Sequence, residues 1–533
     1  MRTKYIVILG SLLSGLGKGG VTSSILKILS FYNCRALPIK FDGYLNYDCG
    51  TMNPYRHGEV FVLDDKSEVD MDFGMYERFS NTDLTGKLSI TGGKLFSRVI
   101  AKERRGDYLG EDVQIIPHLT NEILDTIKRI AKSERPDVLV IEVGGTVGDI
   151  ENSYFIEAMR QLSLNDDVVF INLTYVPKID VVGEQKTKPA QIGVRSLMQL
   201  GIRPSFILCR SEEPLGEKAR EKIALYSSIR KERVIDDSDR GTVYHLPAHL
   251  IEQGFDRLLV GGLGLGGRRL DRRKLAKWKG LVDSISSPKK AVNIAIVGKY
   301  TDLKDSYVSV KEALVHAAAK SRVNLRINWV ESTAVEGSST SALEGADGIL
   351  VPGGFGSRGI EGMVNAARFA RVRGIPYLGI CLGMQVMVIE YARDVCGLKG
   401  ANSSEFDSKT RHNVIDIMET QRDLKEKGGS MRLGAWTAKL RKGTHAYSAY
   451  RRAAISERHR HRYEVNNRYR NALERNGMVI SGTTPDNHIV EIVEWSDGFG
   501  IGTQAHPELK SRLERPAPLF VEFVKHASER APS

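Results

Sequence analysis

Short apolar, often β-branched runs alternate along this chain with segments whose apolar residues recur every three or four positions. The runs at 5–9, 138–142, 168–173 and 205–209 predict buried strands, and the segments 21–29 and 122–131 predict helices between them. Alternation of this kind builds parallel sheets covered by helices. The pattern stops at the glycine-rich stretch 261–267, followed by a basic amphipathic segment, 268–282, and the breaker Ser284-Ile285-Ser286-Ser287-Pro288. Glycines followed by a charge run read as an inter-domain linker. A second series starts at 292–297 and continues at 348–351, 377–380, 489–495 and 499–503. The expected fold class is α/β, with two Rossmann-like three-layer domains at 1–266 and 291–533 and a linker at 267–290.

Composition changes this picture little. A chain of 533 residues exceeds one ordinary core, in keeping with two domains. With 41% apolar and 27% charged residues it has the balance of a globular protein in water. Cys34, Cys49, Cys209, Cys381 and Cys396 are odd in number, scattered and without C-x-x-C spacing, so reduced thiols in the cytoplasm are expected. The first apolar run ends at Gly10, too short for an export signal, and no apolar stretch reaches membrane-spanning length; neither export nor a membrane partner is expected. Much of the net charge of +12 lies at 268–279 and 451–470. Neither stretch interleaves stacking aromatics, so both read as solvated faces or triphosphate-facing stripes, and no polynucleotide partner is expected.

Two groups of motifs carry chemistry. Ser14-Gly15-Leu16-Gly17-Lys18-Gly19 lies between a predicted strand and a predicted helix, where backbone N–H groups turn toward phosphate oxygens and Lys18 reaches the outer phosphates. The G-x-x-x-x-G-K-[ST] pattern fails at Leu12 and at Gly19, which stands where Ser or Thr would hold a metal. Another group must bind it, and Asp72 and Glu142 offer the hard oxygens that suit Mg²⁺. In the second series, Gly379-Ile380-Cys381-Leu382-Gly383 puts a thiol at a strand-to-helix elbow, where the positive end of the helix favours the thiolate. Pro352-Gly353-Gly354-Phe355-Gly356 is a glycine turn able to offer an N–H to an oxyanion, and His506-Pro507-Glu508 supplies a base with a carboxylate to orient it. A thiol half that splits glutamine, joined to a half that consumes ATP, describes an amidotransferase.

Over almost its whole length the chain resembles the CTP synthase family. The resemblance rests on Gly50-Thr51-Met52-Asn53-Pro54 with His57-Gly58-Glu59-Val60-Phe61-Val62, on Lys102-Glu103-Arg104-Arg105-Gly106-Asp107-Tyr108-Leu109-Gly110, and on Glu142-Val143-Gly144-Gly145-Thr146-Val147-Gly148-Asp149-Ile150-Glu151. Lys186-Thr187-Lys188-Pro189-Ala190-Gln191, the stretch 379–385 and Arg458-His459-Arg460-His461-Arg462-Tyr463-Glu464-Val465-Asn466-Asn467 match as well. It implies an N-terminal P-loop-like amidoligase domain and a C-terminal class I glutamine amidotransferase domain. The implied reaction is amination of UTP to CTP, driven by ATP, with ammonia from glutamine. By the same resemblance Gly15, Leu16, Gly17, Lys18, Gly19, Lys40 and Asp72 meet ATP, with Asp72 and Glu142 on Mg²⁺. Ser14, Lys186, Thr187, Lys188, Pro189, Ala190, Gln191 and Lys222 meet UTP, and Asp149, Ile150 and Glu151 read the cytosine of the inhibitor CTP. Cys381, His506 and Glu508 form the triad, and Gly354, Leu382, Gly383, Met384, Gln385, Glu405 and Arg462 bind glutamine. The stretch 428–434, with Arg432, resembles a lid responding to the activator GTP, and the implied assembly is a homotetramer.

Departures from the family pattern are local. Gly43 and Cys49 stand where prolines are usual, Met75 replaces a histidine, Ala505 precedes His506 in place of an aromatic, and Pro516-Ala517-Pro518-Leu519-Phe520 lacks a histidine. They bear on loop rigidity, rate and GTP response rather than on reaction type. Two other readings compete: an amidoligase of the cobyrinate or dethiobiotin-synthetase kind, and a nucleotide-responsive scaffold without catalysis. Lys186-Thr187-Lys188-Pro189 and the triad speak against the first, and joint retention of Lys18, Asp72, Glu142, Cys381, His506 and Glu508 against the second.

Overall fold

A computed structural model describes residues 2–179, 183–286, 290–301, 303–337, 340–418, 421 and 431–531. Positions 287–289 of the expected linker and 428–430 of the expected lid lie outside the described residues. Two compact units form, and neither is contiguous in sequence: one comprises Met1–Cys49 and Met75–Gly280, the other Gly50–Gly74 and Leu281–Ser533.

The first unit is built on a seven-stranded sheet in the order Val234–Ser238, Phe206–Ser211, Val168–Tyr175, Lys4–Gly10, Val138–Val143, Ala36–Asp42, Ser89–Thr91. Every neighbouring pair is parallel. Ile6, Val7, Ile8 and the run from Val138 to Ile141 are fully buried, as strands covered on both faces require. Later strands lie on both sides of Lys4–Gly10, so the loop leaving its carboxyl end sits at a switch point, where open α/β sheets bind ligands. Within the expected linker the chain forms the helix Arg272–Ser286, whose buried Trp278 donates to the Tyr244 carbonyl at 3.0 Å.

The second unit carries a nine-stranded sheet. Asn324–Glu331, Ala291–Gly298, Gly348–Val351, Tyr377–Ile380 and Gly500–Thr503 run parallel. Val490–Glu494, Val479–Thr483, Arg432–Leu440 and Ala454–His461 extend that sheet antiparallel. Val490–Glu494 joins Gly500–Thr503 through a short hairpin, which allows only antiparallel pairing.

The basic stretch 451–470 is not simply a solvated face. Arg458, His459 and His461 on Ala454–His461 are buried, and Arg458 pairs with Asp64 at 2.5 Å while Arg460 pairs with Glu68 at 2.8 Å. These carboxylates belong to the Gly50–Gly74 excursion, with Asp64 lying 394 residues from Arg458, beyond the reach of any local pattern. Among the described residues no helix is long and apolar enough to cross a membrane.

Candidate active sites

In the first unit the chain turns sharply after Lys4–Gly10. Leu12, Gly15 and Gly17 take positive φ, and Gly17 caps the helix Lys18–Phe31. Only such a turn leaves successive N–H groups facing an anion at the helix start. Lys18 Nζ donates to the Gly145 carbonyl at 2.6 Å, so the glycine loop and the Glu142–Glu151 motif share one place. Glu142 is fully buried: Oε1 accepts from Lys40 at 2.7 Å, and Oε2 accepts from Thr22 at 2.6 Å and Tyr76 at 2.7 Å. The Glu142 carboxylate is a hard-oxygen donor of the kind Mg²⁺ takes, though among the described residues no group of three or more His, Cys, Asp or Glu stands together to hold a metal ion. Asp72 falls in the segment counted with the other unit, where its N–H donates to Asp70 at 2.9 Å.

Some of the other residues expected to meet nucleotide lie on elements beside this loop. The helix Lys188–Gln199, with Pro189 in its first turn, lies so close that a Cβ on Gly193 would come 2.4 Å from Ser11 Oγ. Gln191 donates to Thr187 Oγ1 at 3.0 Å, Ala190 is buried, and Lys186 pairs with Glu184 at 3.3 Å. Lys222 is exposed on the helix Glu217–Ser227, which packs on Lys188–Gln199 through Ala219, Ile223, Ala190 and Val194. Asp149 accepts from the Thr146 N–H at 2.8 Å, while Ile150 and Glu151 are exposed. A Cβ on Gly43 would stand 2.6 Å from the Glu151 carbonyl, so the small residue at 43 seats that turn.

In the second unit Cys381 follows Tyr377–Ile380 and caps the helix Leu382–Asp394 with φ 52° and ψ −100°, a strained conformation for a side-chain-bearing residue. Glycines make the elbow possible: a Cβ on Gly379 would meet the Gly383 backbone at 2.5 Å, and one on Gly383 the Val351 carbonyl at 2.0 Å. Cys381, His506, Glu508, Gly353 and Gly354 line one cavity of about 80 Å³. His506 Nδ1 lies 2.7 Å from Glu508 Oε1, and its buried Nε2 makes no hydrogen bond among the described residues. Burial pushes the imidazolium toward neutrality, but the Glu508 charge and the Cys381 thiol outweigh it and raise His506 to about 10. The direction of that shift favours the protonated imidazole beside the thiol.

Of the expected glutamine-binding residues, Gly354 lines this cavity, and Leu382, Gly383, Met384, Gln385, Glu405 and Arg462 are not among its lining residues. Leu382 packs where a Gly354 Cβ would lie 3.3 Å from Cδ2, Met384 is buried against Gly502, and Gln385 donates to the Tyr463 carbonyl at 3.2 Å. Glu405 Oε1 accepts from the Gly356 N–H at 3.0 Å; burial pushes its carboxyl up, opposed by that N–H and by Lys299. Arg462 donates to Gln421 at 2.9 Å. Arg432 is buried and bonded to Glu491 at 2.6 Å.

Residues 4–265 match the family model described as CTP synthase N-terminus, and residues 302–526 match glutamine amidotransferase class-I. A CTP synthase from Pyrococcus furiosus is 51% identical over 99% of this chain and 98% of its own length. The chain belongs to the CTP synthase family. A CTP synthase from Methanocaldococcus jannaschii is 47% identical over 98% of both chains. The solved glutaminase domain of Trypanosoma brucei CTPS, with bound acivicin, is 40% identical and covers 45% of this chain and 94% of its own, with a TM-score of 0.42. The enzyme is thus a glutamine-hydrolysing ligase that forms CTP from UTP at the expense of ATP.

CTP synthase sequence motifs left several neighbours of the thiol unread. Gln504 Nε2 lies 3.5 Å from Cys381 Sγ, and Glu59, Tyr307, Phe355 and Arg460 line its cavity. Lys299 Nζ donates to the Phe355 carbonyl at 3.3 Å and to the Gly356 carbonyl. A lysine just past the end of the buried strand Ala291–Gly298 was the available signal, because sites of open α/β sheets lie beyond strand carboxyl ends.

Proposed function

We propose that the two units divide the reaction between the residues assembled above. In the first, Gly15, Leu16, Gly17, Lys18, Gly19 and Lys40 take the phosphates of ATP, and Ser14, Lys186, Thr187, Lys188, Pro189, Ala190, Gln191 and Lys222 take UTP. Glu142 would hold Mg²⁺, which when bound offsets the charge of crowded phosphates. The uracil O4 attacks the γ-phosphorus of ATP, ADP leaves, and ammonia then adds at C4 as inorganic phosphate departs.

In the second unit the Cys381 thiolate attacks the side-chain carbonyl of glutamine while the turn at Gly353 and Gly354 offers N–H groups to the oxyanion. Glu405 receives the amino group of glutamine and Arg462 its carboxylate, with Gly354, Leu382, Gly383, Met384 and Gln385 forming the walls. His506 gives its proton to the departing ammonia, leaving a glutamyl thioester. Water, deprotonated by His506, then releases glutamate and regenerates the thiol. Asp149, Ile150 and Glu151 read cytosine, so CTP inhibits by competing with UTP. GTP activates through the segment that includes Arg432, and the working assembly is a cytoplasmic homotetramer.

One observation carries this reading: a strained, glycine-packed Cys381 shares a cavity with a His506 whose Nδ1 lies 2.7 Å from Glu508. The test is to supply UTP, ATP and Mg²⁺ with either glutamine or ammonium and follow CTP. Cys381→Ala should abolish synthesis from glutamine and keep synthesis from ammonium. Equal loss with both nitrogen donors would remove Cys381 from the nucleophile role.

A further inference from the structure

Lys299 is 1% exposed and takes no part in the chemistry proposed for Cys381, His506 and Glu508. Its ammonium donates to the carbonyls of Phe355 and Gly356, while the Gly356 N–H donates to Glu405 at 3.0 Å. The Phe355–Gly356 peptide is therefore gripped on both edges, by a cation at its oxygen and a carboxylate at its nitrogen. A peptide plane carries its C=O and N–H on opposite sides, so holding both prevents it from flipping. The lysine itself is anchored: its N–H donates to the Tyr307 hydroxyl at 3.0 Å and its carbonyl accepts from Arg358. Its stem runs beside Gly354, where a Cβ would lie 3.6 Å from Lys299 Cδ.

We propose that Lys299 is a positioning residue for the glutaminase reaction, holding the glycine turn and Glu405 in the arrangement that receives glutamine. The proposal rests on the reading of Glu405 as the receptor of glutamine's amino group. Without the lysine the Phe355–Gly356 plane can rotate, the Gly356 N–H leaves Glu405, and the adjoining Gly353-Gly354 turn loses its fixed approach to Cys381. The half-buried Glu405 carboxyl would then lose both influences that oppose its protonation, and a protonated carboxyl is a poor partner for an ammonium group. Lys299 donates to the Phe355 and Gly356 carbonyls, so it acts through the turn.

The test uses the full-length enzyme carrying Lys299→Met, Lys299→Arg or Glu405→Ala, and measures glutamate release, ammonium-driven CTP synthesis and alkylation of Cys381 by iodoacetamide. Lys299→Met should lower kcat/KM for glutamine by about tenfold or more, chiefly through KM, since charge-assisted hydrogen bonds are lost. Ammonium-driven synthesis and alkylation should stay near wild-type rates. Lys299→Arg, which keeps the charge and the donors, should recover part of the loss. If the Met variant does not fold, Lys299→Gln carries the same comparison. A glutamine kcat/KM within twofold of wild type, or a loss shared equally by ammonium-driven synthesis, overturns the proposal. Should Glu405→Ala raise KM while Lys299→Met leaves it unchanged, the proposal falls alone; an unchanged KM in Glu405→Ala removes the underlying site reading and the proposal with it.

Discussion

Buried imidazoles ordinarily give up their proton, and His506 keeps its own because Glu508 stands 2.7 Å from Nδ1. A histidine raised to about 10 in the folded chain contributes stability that is fully present below its unfolded value near 6.5 and fades as pH rises through about 10. The alkaline limb of glutamine hydrolysis should therefore lie near that upper value. Replacing Glu508 by Gln leaves burial to dominate, so the limb should move to lower pH and glutamine kcat/KM should fall by about a hundredfold at neutral pH. A pH profile of glutamate release decides it, and an unmoved limb would contradict the role given to Glu508. Across the molecule's other site, the exposed Glu151 carboxylate can accept from the amino group of cytosine and would repel the carbonyl of uracil. Glu151→Ala should accordingly weaken CTP inhibition far more than it changes the apparent affinity for UTP, as titration of both nucleotides would reveal. Cys381, His506 and Glu508 were legible because reactive side chains stood in glycine and proline contexts that fix a backbone. Lys299 and Gln504 were harder to read, since Lys299 reaches the Phe355–Gly356 turn and Gln504 reaches Cys381 only through folding, and the one clue to Lys299 is its place past the end of a strand.

Elements were easiest to read where burial is uniform. The runs at 348–351 and 377–380 coincide with Gly348–Val351 and Tyr377–Ile380, both wholly buried. Arg432–Leu440 and Ala454–His461 escaped notice because arginine and histidine in a strand look solvated, whereas here Glu491, Asp64 and Glu68 neutralise them inside the unit. The elbow between Tyr377–Ile380 and Leu382–Asp394 is also the element most sensitive to added volume. Gly383→Ala would place a Cβ 2.0 Å from the Val351 carbonyl, an overlap that backbone atoms relieve only by shifting. Overpacking of this kind costs about 1–3 kcal/mol and should displace Cys381. The expected result is a lower denaturant midpoint for the second unit together with loss of glutamine-driven synthesis, while ammonium-driven synthesis continues. Normal glutamine turnover in this variant would show that the elbow tolerates a wider turn.

For the molecule as a whole, activation of UTP must precede its amination whichever nitrogen source is used. Lys18→Ala and Glu142→Gln should therefore stop CTP formation with glutamine and ammonium alike, and full ammonium-driven turnover in either would exclude that residue from the phosphate site. The second substitution also leaves the buried Lys40 ammonium without its carboxylate, so thermal melting must accompany the assay. At this scale the α/β class was legible from alternating runs, but the membership of Gly50–Gly74 was not, because the contacts that assign it, such as Asp64 with Arg458 and Glu68 with Arg460, join residues far apart in sequence.

During synthesis Gly50–Gly74 leaves the ribosome long before the residues from Leu281 onward that it packs against. Phe61, Val62, Leu63 and Val69, none more than 1% exposed in the finished chain, must then wait while several hundred further residues are made. At about 5–20 residues per second that delay is on the order of tens of seconds. The half-made chain is thus a sticky species that the complete one is not, and its yield depends on translation speed and on chaperones shielding one short stretch.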